Sequence, residues 1–240
     1  MQRRTFLQST LVATPLISHF SLGTDSQPVP DQTPVVINAG VGGNNTVNLL
    51  NRIDKDCLAQ KPDLTILMIG TNDMNTRNHV PLPDYERNLR TLCAKLVAAR
   101  SQVMLMNILP AYEPYLITRH DPKFYEPEGH YARKAKVNET IRKVAADNKF
   151  PFLDLHHIFE KVGNISLESS SLIKNEANSN KTDGIHPTPD GYRVIAVAVY
   201  TFLVQNQLLK NRIVCFGDSI TLGDGNGQNY PTYLQQLVAP

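Results

Sequence analysis

From Val35 onward, short apolar runs alternate with longer stretches of helical period, a pattern that predicts βαβ units wound around a parallel sheet. Five strands are expected, at 35–38, 64–69, 103–108, 152–155 and 213–216. All are short and nearly continuous in hydrophobicity, as strands covered on both faces are. Between them, Val47, Leu50, Cys57 and Leu58 recur at helical spacing behind Asn45 and Thr46, either of which can cap. Tyr85, Leu89, Leu92, Cys93, Leu96 and Val97 do the same behind Asp84, the expected N-cap of that helix. A more charged helix is expected over 131–146, and a strongly apolar one carries Tyr192, Ile195, Ala196, Val199, Phe202 and Leu203 behind Asp190. The longest nearly apolar run, 194–204, is far short of the roughly 20 residues that span a membrane, so it reads as a core helix.

The first thirty-odd residues do not share this pattern. The stretch 1–22 opens with Arg3-Arg4, holds no acid and continues through a modest apolar run over 6–17, which is the pattern of an export signal. Arg3-Arg4-Thr5-Phe6-Leu7 is similar to a twin-arginine signal and implies export to the periplasm or beyond. The rival reading is a tail with two incidental arginines on a cytoplasmic protein. Three prolines mark 24–34 as a linker, so 1–34 is set apart from one domain over 35–240.

Charge and cysteine content narrow the function classes. With 24 Lys and Arg against 22 Asp and Glu the net charge is +2, and no one-sided field calls for a nucleic-acid partner. Cys57, Cys93 and Cys215 are too few and too scattered for a disulfide framework or a metal knuckle, and they read as buried thiols.

Doubly wound α/β sheets bind their ligands outside the carboxyl ends of the strands. After the last expected strand comes Gly217-Asp218-Ser219-Ile220-Thr221, where a serine hydroxyl and its own backbone N–H can face one reacting oxygen. The phosphate-loop pattern fails there for want of a Lys-Ser/Thr pair, and the G-x-S-x-G elbow fails because Thr221 replaces its second glycine. After the second strand comes Gly70-Thr71-Asn72-Asp73, in which the Asn72 amide suits an oxyanion. The glycine-rich turn 39–46 follows the first strand and allows close approach of backbone N–H groups, though its spacing is no dinucleotide fingerprint. Finally, Asp183-Gly184-Ile185-His186 can fold back so that the carboxylate meets Nδ1 and leaves Nε2 free as a base. The other six histidines lack such a partner and are read as surface or core residues, not metal ligands. Nucleophile, base, orienting acid and N–H donors together supply the roles acyl transfer requires.

These four sites resemble the sequence blocks of the GDSL, or SGNH, hydrolases. Gly217–Thr221 looks like the block with the nucleophilic serine, Ser219; Gly43 sits where the oxyanion glycine would; Asn72 is similar to the oxyanion asparagine; and Asp183 with His186 match the last block. The resemblance implies a three-layer α/β/α flavodoxin-like fold around a five-stranded parallel sheet, no cofactor, and hydrolysis of ester or thioester bonds. In the family the serine block comes first, whereas here it comes last, which is what a circular permutation produces. The old ends would then join through 205–212. The segment 110–129, with Tyr112, Tyr115, Phe124 and Tyr125, reads either as a packed surface loop or as a lid, and a lid of this make-up suits sugars or short acyl groups better than a long aliphatic chain. A short-chain acyl or carbohydrate acetyl esterase is therefore expected. The alternatives are a lysophospholipase or thioesterase, and a non-catalytic carbohydrate- or lipid-binding module on the same fold.

Overall fold

The computed structural model describes residues 33–239, so the expected signal over 1–22 and most of the linker lie outside the described residues. In chain order the elements are β1 (Val35–Gly40), α1 (Thr46–Asp56), β2 (Leu64–Met68), α2 (Leu82–Ala98), β3 (Gln102–Met106), α3 (Glu113–Leu116), α4 (Gly129–Asn148), β4 (Phe152–Leu153), α5 (Leu155–Val162), α6 (Glu176–Ser179), α7 (Pro189–Gln205), β5 (Arg212–Gly217), α8 (Ser219–Leu222) and α9 (Tyr230–Val238). The five strands form one parallel sheet in the order β1-β5-β2-β3-β4. The last strand of the chain thus lies between the first two.

Alternation along the strands divides the core. Val214 and Phe216 of β5 face a layer made by Leu49 and Ile53 of α1, Leu89 and Leu92 of α2, and Ile141 of α4. Ile213 and Cys215 face the opposite layer, made by Phe159 of α5, Ile195 and Val199 of α7, and Leu234 of α9. Both sheet faces are covered, which is why the strands read as continuous apolar runs. All three cysteines are free and buried, as the sequence predicts, and burial pushes the Cys57 thiol up to about 11.

Three local expectations need correction. The fourth strand stops at Leu153 because Asp154 instead caps α5, accepting from the His157 N–H at 3.0 Å. Helix α2 begins two residues before Asp84, with Pro83 in its first turn, so Asp84 sits inside the helix and pairs with Arg87. Helix α7 is capped by Thr188, whose hydroxyl accepts from Gly191 N–H at 3.1 Å, and Asp190 lies in its first turn. Asn45 does cap α1, in a reciprocal box with Asn48.

Helix α9 is pinned to the sheet. Helix α9 packs on α7 and β1, and the Gln235 side chain accepts from Val36 N–H at 2.7 Å and donates to Pro34 C=O at 3.0 Å. Burial of Tyr230, Pro231 and Leu234 anchors this helix.

Candidate active site

Register sets the site. Gly217 is level with Gly40 on one side and Met68 on the other, so the loops after β1, β5 and β2 leave the sheet side by side. Glycine is required at this level. A Cβ on Gly40 would collide with the backbone of Leu222, and one on Gly217 with Thr221 and the Met68 carbonyl. The chain can therefore turn at once into α8, with Asp218 as N-cap accepting from Ile220 N–H at 2.9 Å. Ser219 opens that helix, and its backbone N–H has no intrahelical acceptor.

Thirty-three residues upstream, the loop before α7 brings an imidazole to this hydroxyl. Ser219 Oγ lies 2.9 Å from His186 Nε2, and His186 Nδ1 lies 2.9 and 3.0 Å from the two oxygens of Asp183. The carboxylate also accepts the backbone N–H groups of Ile185 and His186 at 2.9 and 2.7 Å. Burial alone would raise the Asp183 carboxyl, but these hydrogen bonds and the adjoining imidazole outweigh it and hold the group well below the usual carboxylate range. Gly184 makes the turn at φ +72°, and a side chain there would press on Tyr112.

The donors expected around the hydroxyl are spread over two loops. The Asn72 amide donates to Asn44 C=O at 2.9 Å, which joins the loop after β2 to the loop after β1 and leaves a second amide hydrogen. Gly43 adopts φ +74°, its carbonyl accepting from the Asn78 amide at 2.7 Å. Arg52 fixes the same corner from beneath. Its guanidinium donates to Ala39 C=O at 2.9 Å, Gly217 C=O at 2.8 Å and Asn44 Oδ1 at 2.7 Å, and it lies 4.5 Å over the Phe216 ring. Sequence reasoning did not single out Arg52. Its signal was a lone cation on the apolar face of α1.

The histidine loop is tethered differently. Lys174 donates its backbone N–H to His186 C=O at 2.9 Å and accepts from Gly184 N–H at 3.0 Å, while its nearly buried ammonium pairs with Asp224, five residues past Ser219. From the lid, Tyr112 N–H donates to Gly184 C=O at 2.8 Å and Arg119 to Asp183 C=O. His120 reaches across to Thr76, 2.7 Å from its hydroxyl. The expected aromatic lid wall divides: Tyr112 and Tyr115 pack edge to face beside the histidine loop, but Tyr125 is buried and donates to Asn75 at 2.6 Å, with Phe124 and Tyr125 beneath Arg133.

Two buried acids flank the site. Burial pushes Asp73 up to about 6, although one of its oxygens accepts from Thr46 N–H at 2.9 Å and from its hydroxyl at 2.5 Å. Burial likewise lifts Asp218 to about 7. Of the remaining histidines, His156 faces Ile108 C=O at 3.0 Å and His130 is buried. Among the described residues no three of His, Cys, Asp and Glu gather as a metal cluster.

A hydroxyl, an imidazole and a carboxylate in hydrogen-bonded series at the ends of parallel strands define a serine-hydrolase type of site. The family model of GDSL-like lipases/acylhydrolases matches residues 26–194, and the chain belongs to this family, a GDSL/SGNH esterase. It is 27% identical over 171 residues to an acetylxylan esterase of Geobacillus stearothermophilus, covering 68% of this chain and 69% of that protein. It is 26% identical over 188 residues to the uncharacterized lipoprotein YqeF of Bacillus subtilis strain 168, covering 73% and 74%. Among solved structures, a lipase/acylhydrolase from Enterococcus faecalis shares the fold with a TM-score of 0.54 at 19% identity, over 70% of this chain and 74% of that one. No described helix is long and apolar enough to cross a membrane.

Proposed function

We propose that the protein cleaves small carboxylic esters, acetyl esters of carbohydrates foremost, through an acyl-enzyme formed on Ser219. The single observation that carries this reading is the unbroken series from Asp183 through His186 to Ser219, with contacts of 2.9 Å at each junction. Ser219 Oγ attacks the ester carbonyl as His186 Nε2 takes its proton. The oxyanion is received by the N–H groups of Ser219 and Gly43 and by the free hydrogen of the Asn72 amide. His186 then returns the proton to the leaving alcohol, and water, deprotonated by the same imidazole, releases the acid. Asp183 keeps the ring in the orientation that leaves Nε2 facing the hydroxyl.

The acetyl preference draws support from the acetylxylan esterase relative and from a lid held to the histidine loop through Tyr112 and to Thr76 through His120, where the half-buried rings of Tyr112 and Tyr115 pack edge to face. Circular permutation of the family order is part of the same reading. It is supported by a serine strand that is last in the chain yet second in the sheet, and by a family match that ends at residue 194, before that strand begins. Export is supported by Arg3-Arg4 and by the lipoprotein relative. The test is turnover of acetylated xylo-oligosaccharides, p-nitrophenyl acetate and lysophospholipid by the purified chain and by Ser219→Ala. The acetyl substrates should be cleaved and the variant should be inert on them. Preference for lysophospholipid would overturn the substrate reading, and an active Ser219→Ala would overturn the mechanism.

A further inference from the structure

Helix α4 turns two ionisable side chains, His130 and Lys134, inward. His130 is 2% exposed, and among the described residues its Nδ1 has no hydrogen-bond partner. Lys134, one turn on, is 4% exposed, and its ammonium forms no ion pair among the described residues, Glu113 being the acid it feels. Both line a small cavity together with Thr71, Asn75, Ile185 and Ile220. Its free space has room for one small occupant.

The chemistry of the wall selects that occupant. Lys134 offers only donors, and Asn75 is oriented by accepting from Tyr125 and donating to Thr71 C=O, so its unused amide hydrogen is a donor too. Burial first, and then Lys134, His120 and Arg133, oppose a charge on His130 and push it down to about 3; on Lys134 the acid felt is Glu113, which makes no ion pair with it among the described residues. A buried ammonium without a counter-charge is costly, and burial accordingly pushes Lys134 down to about 7. The donors stand in a wall otherwise made of apolar side chains such as Met74, Ile108 and Leu116, and donors gathered beside an ammonium at a space for one atom are complementary to a halide.

We propose that this cavity binds a small monovalent anion of chloride size, held by the Lys134 ammonium, the Nδ1–H of His130 and the Asn75 amide. The site is separate from the ester-cleaving machinery but shares its supports: Thr71, Ile185 and Ile220 are the chain neighbours of Asn72, His186 and Ser219. Occupancy stabilises the folded chain by mass action.

The experiment compares melting of the full chain in sodium chloride and in sodium gluconate at equal ionic strength, and locates bromide by anomalous scattering in crystals soaked in sodium bromide. Chloride should raise Tm by about 2–4 °C and saturate, and bromide should appear between Lys134 and His130. Lys134→Met, close in shape and without charge, should melt cooperatively with no chloride increment. Equal melting in the two salts, an empty cavity in the bromide-soaked crystal, or an increment that survives in Lys134→Met would overturn the proposal. Should Lys134→Met not fold, the bromide position in the native chain decides.

Discussion

The wall of the cleft that carries Ser219 and Asn72 grows out of neighbouring strand ends, whereas the wall that carries His186 belongs to no strand and hangs between α7 and a set of distant tethers. On the first wall, register does the positioning: Gly40, Gly217 and Met68 stand level, and Arg52 ties the adjoining carbonyls. On the second, the backbone of Lys174, the Lys174–Asp224 pair, Tyr112 and Arg119 hold a loop whose own turn is made by Gly184. A site built this way can lose its alignment on one side while the sheet stays intact.

Chemistry and alignment should therefore separate by magnitude. Ser219→Ala or His186→Ala should lower kcat on p-nitrophenyl acetate about a millionfold, and Asp183→Asn about ten-thousandfold, with unchanged circular dichroism. Asn72→Ala should cost roughly a hundred- to a thousandfold in kcat, the scale of one oxyanion donor. Breaking a tether is smaller. Lys174→Met, which leaves Asp224 unpaired, should lower kcat about tenfold through a misplaced imidazole, a loss on the scale of small misplacements of catalytic groups. The double variant Lys174→Asp with Asp224→Lys should recover part of it, and no recovery would show that the pair does not align the walls. Arg119→Ala, on the exposed lid, should cost only a few-fold.

The two walls also differ in how stability responds to pH. Asp218 and Asp73, raised by burial to about 7 and about 6, bind their protons more tightly folded than unfolded. Stability from these groups is therefore greatest below about pH 4 and falls as pH rises to about 7. Asp183, held low by its donors, works the other way: its contribution is present above about pH 4 and is lost as pH falls below the usual carboxylate range. Urea unfolding should show a decline on the order of 1–3 kcal/mol from pH 5 to 8, smaller in Asp218→Asn, which keeps the cap.

Much of the first wall was legible because its signals are local. Strand, glycine and polar loop follow one another within a few residues; on the second wall only the Asp183–His186 spacing, which folds on itself, is of that kind. The second wall depends on pairs such as Lys174 with Asp224 and Arg119 with Asp183, 50 and 64 residues apart, which no periodicity links. The lid is legible from composition alone, and composition cannot tell that Tyr125 turns inward to Asn75 while Tyr112 stays half-buried. Helix starts were misplaced for a related reason: Asp84 and Asp190 are good caps by type, but the prolines beside them set the turn.

The account rests on a hydroxyl near the end of the chain being the group that takes the acyl. Fluorophosphonate labelling of the native protein, followed by peptide mass mapping, reads this directly. One equivalent should attach to Ser219, and attachment should collapse in His186→Ala. Label on another residue, or an active esterase that takes none, would contradict it.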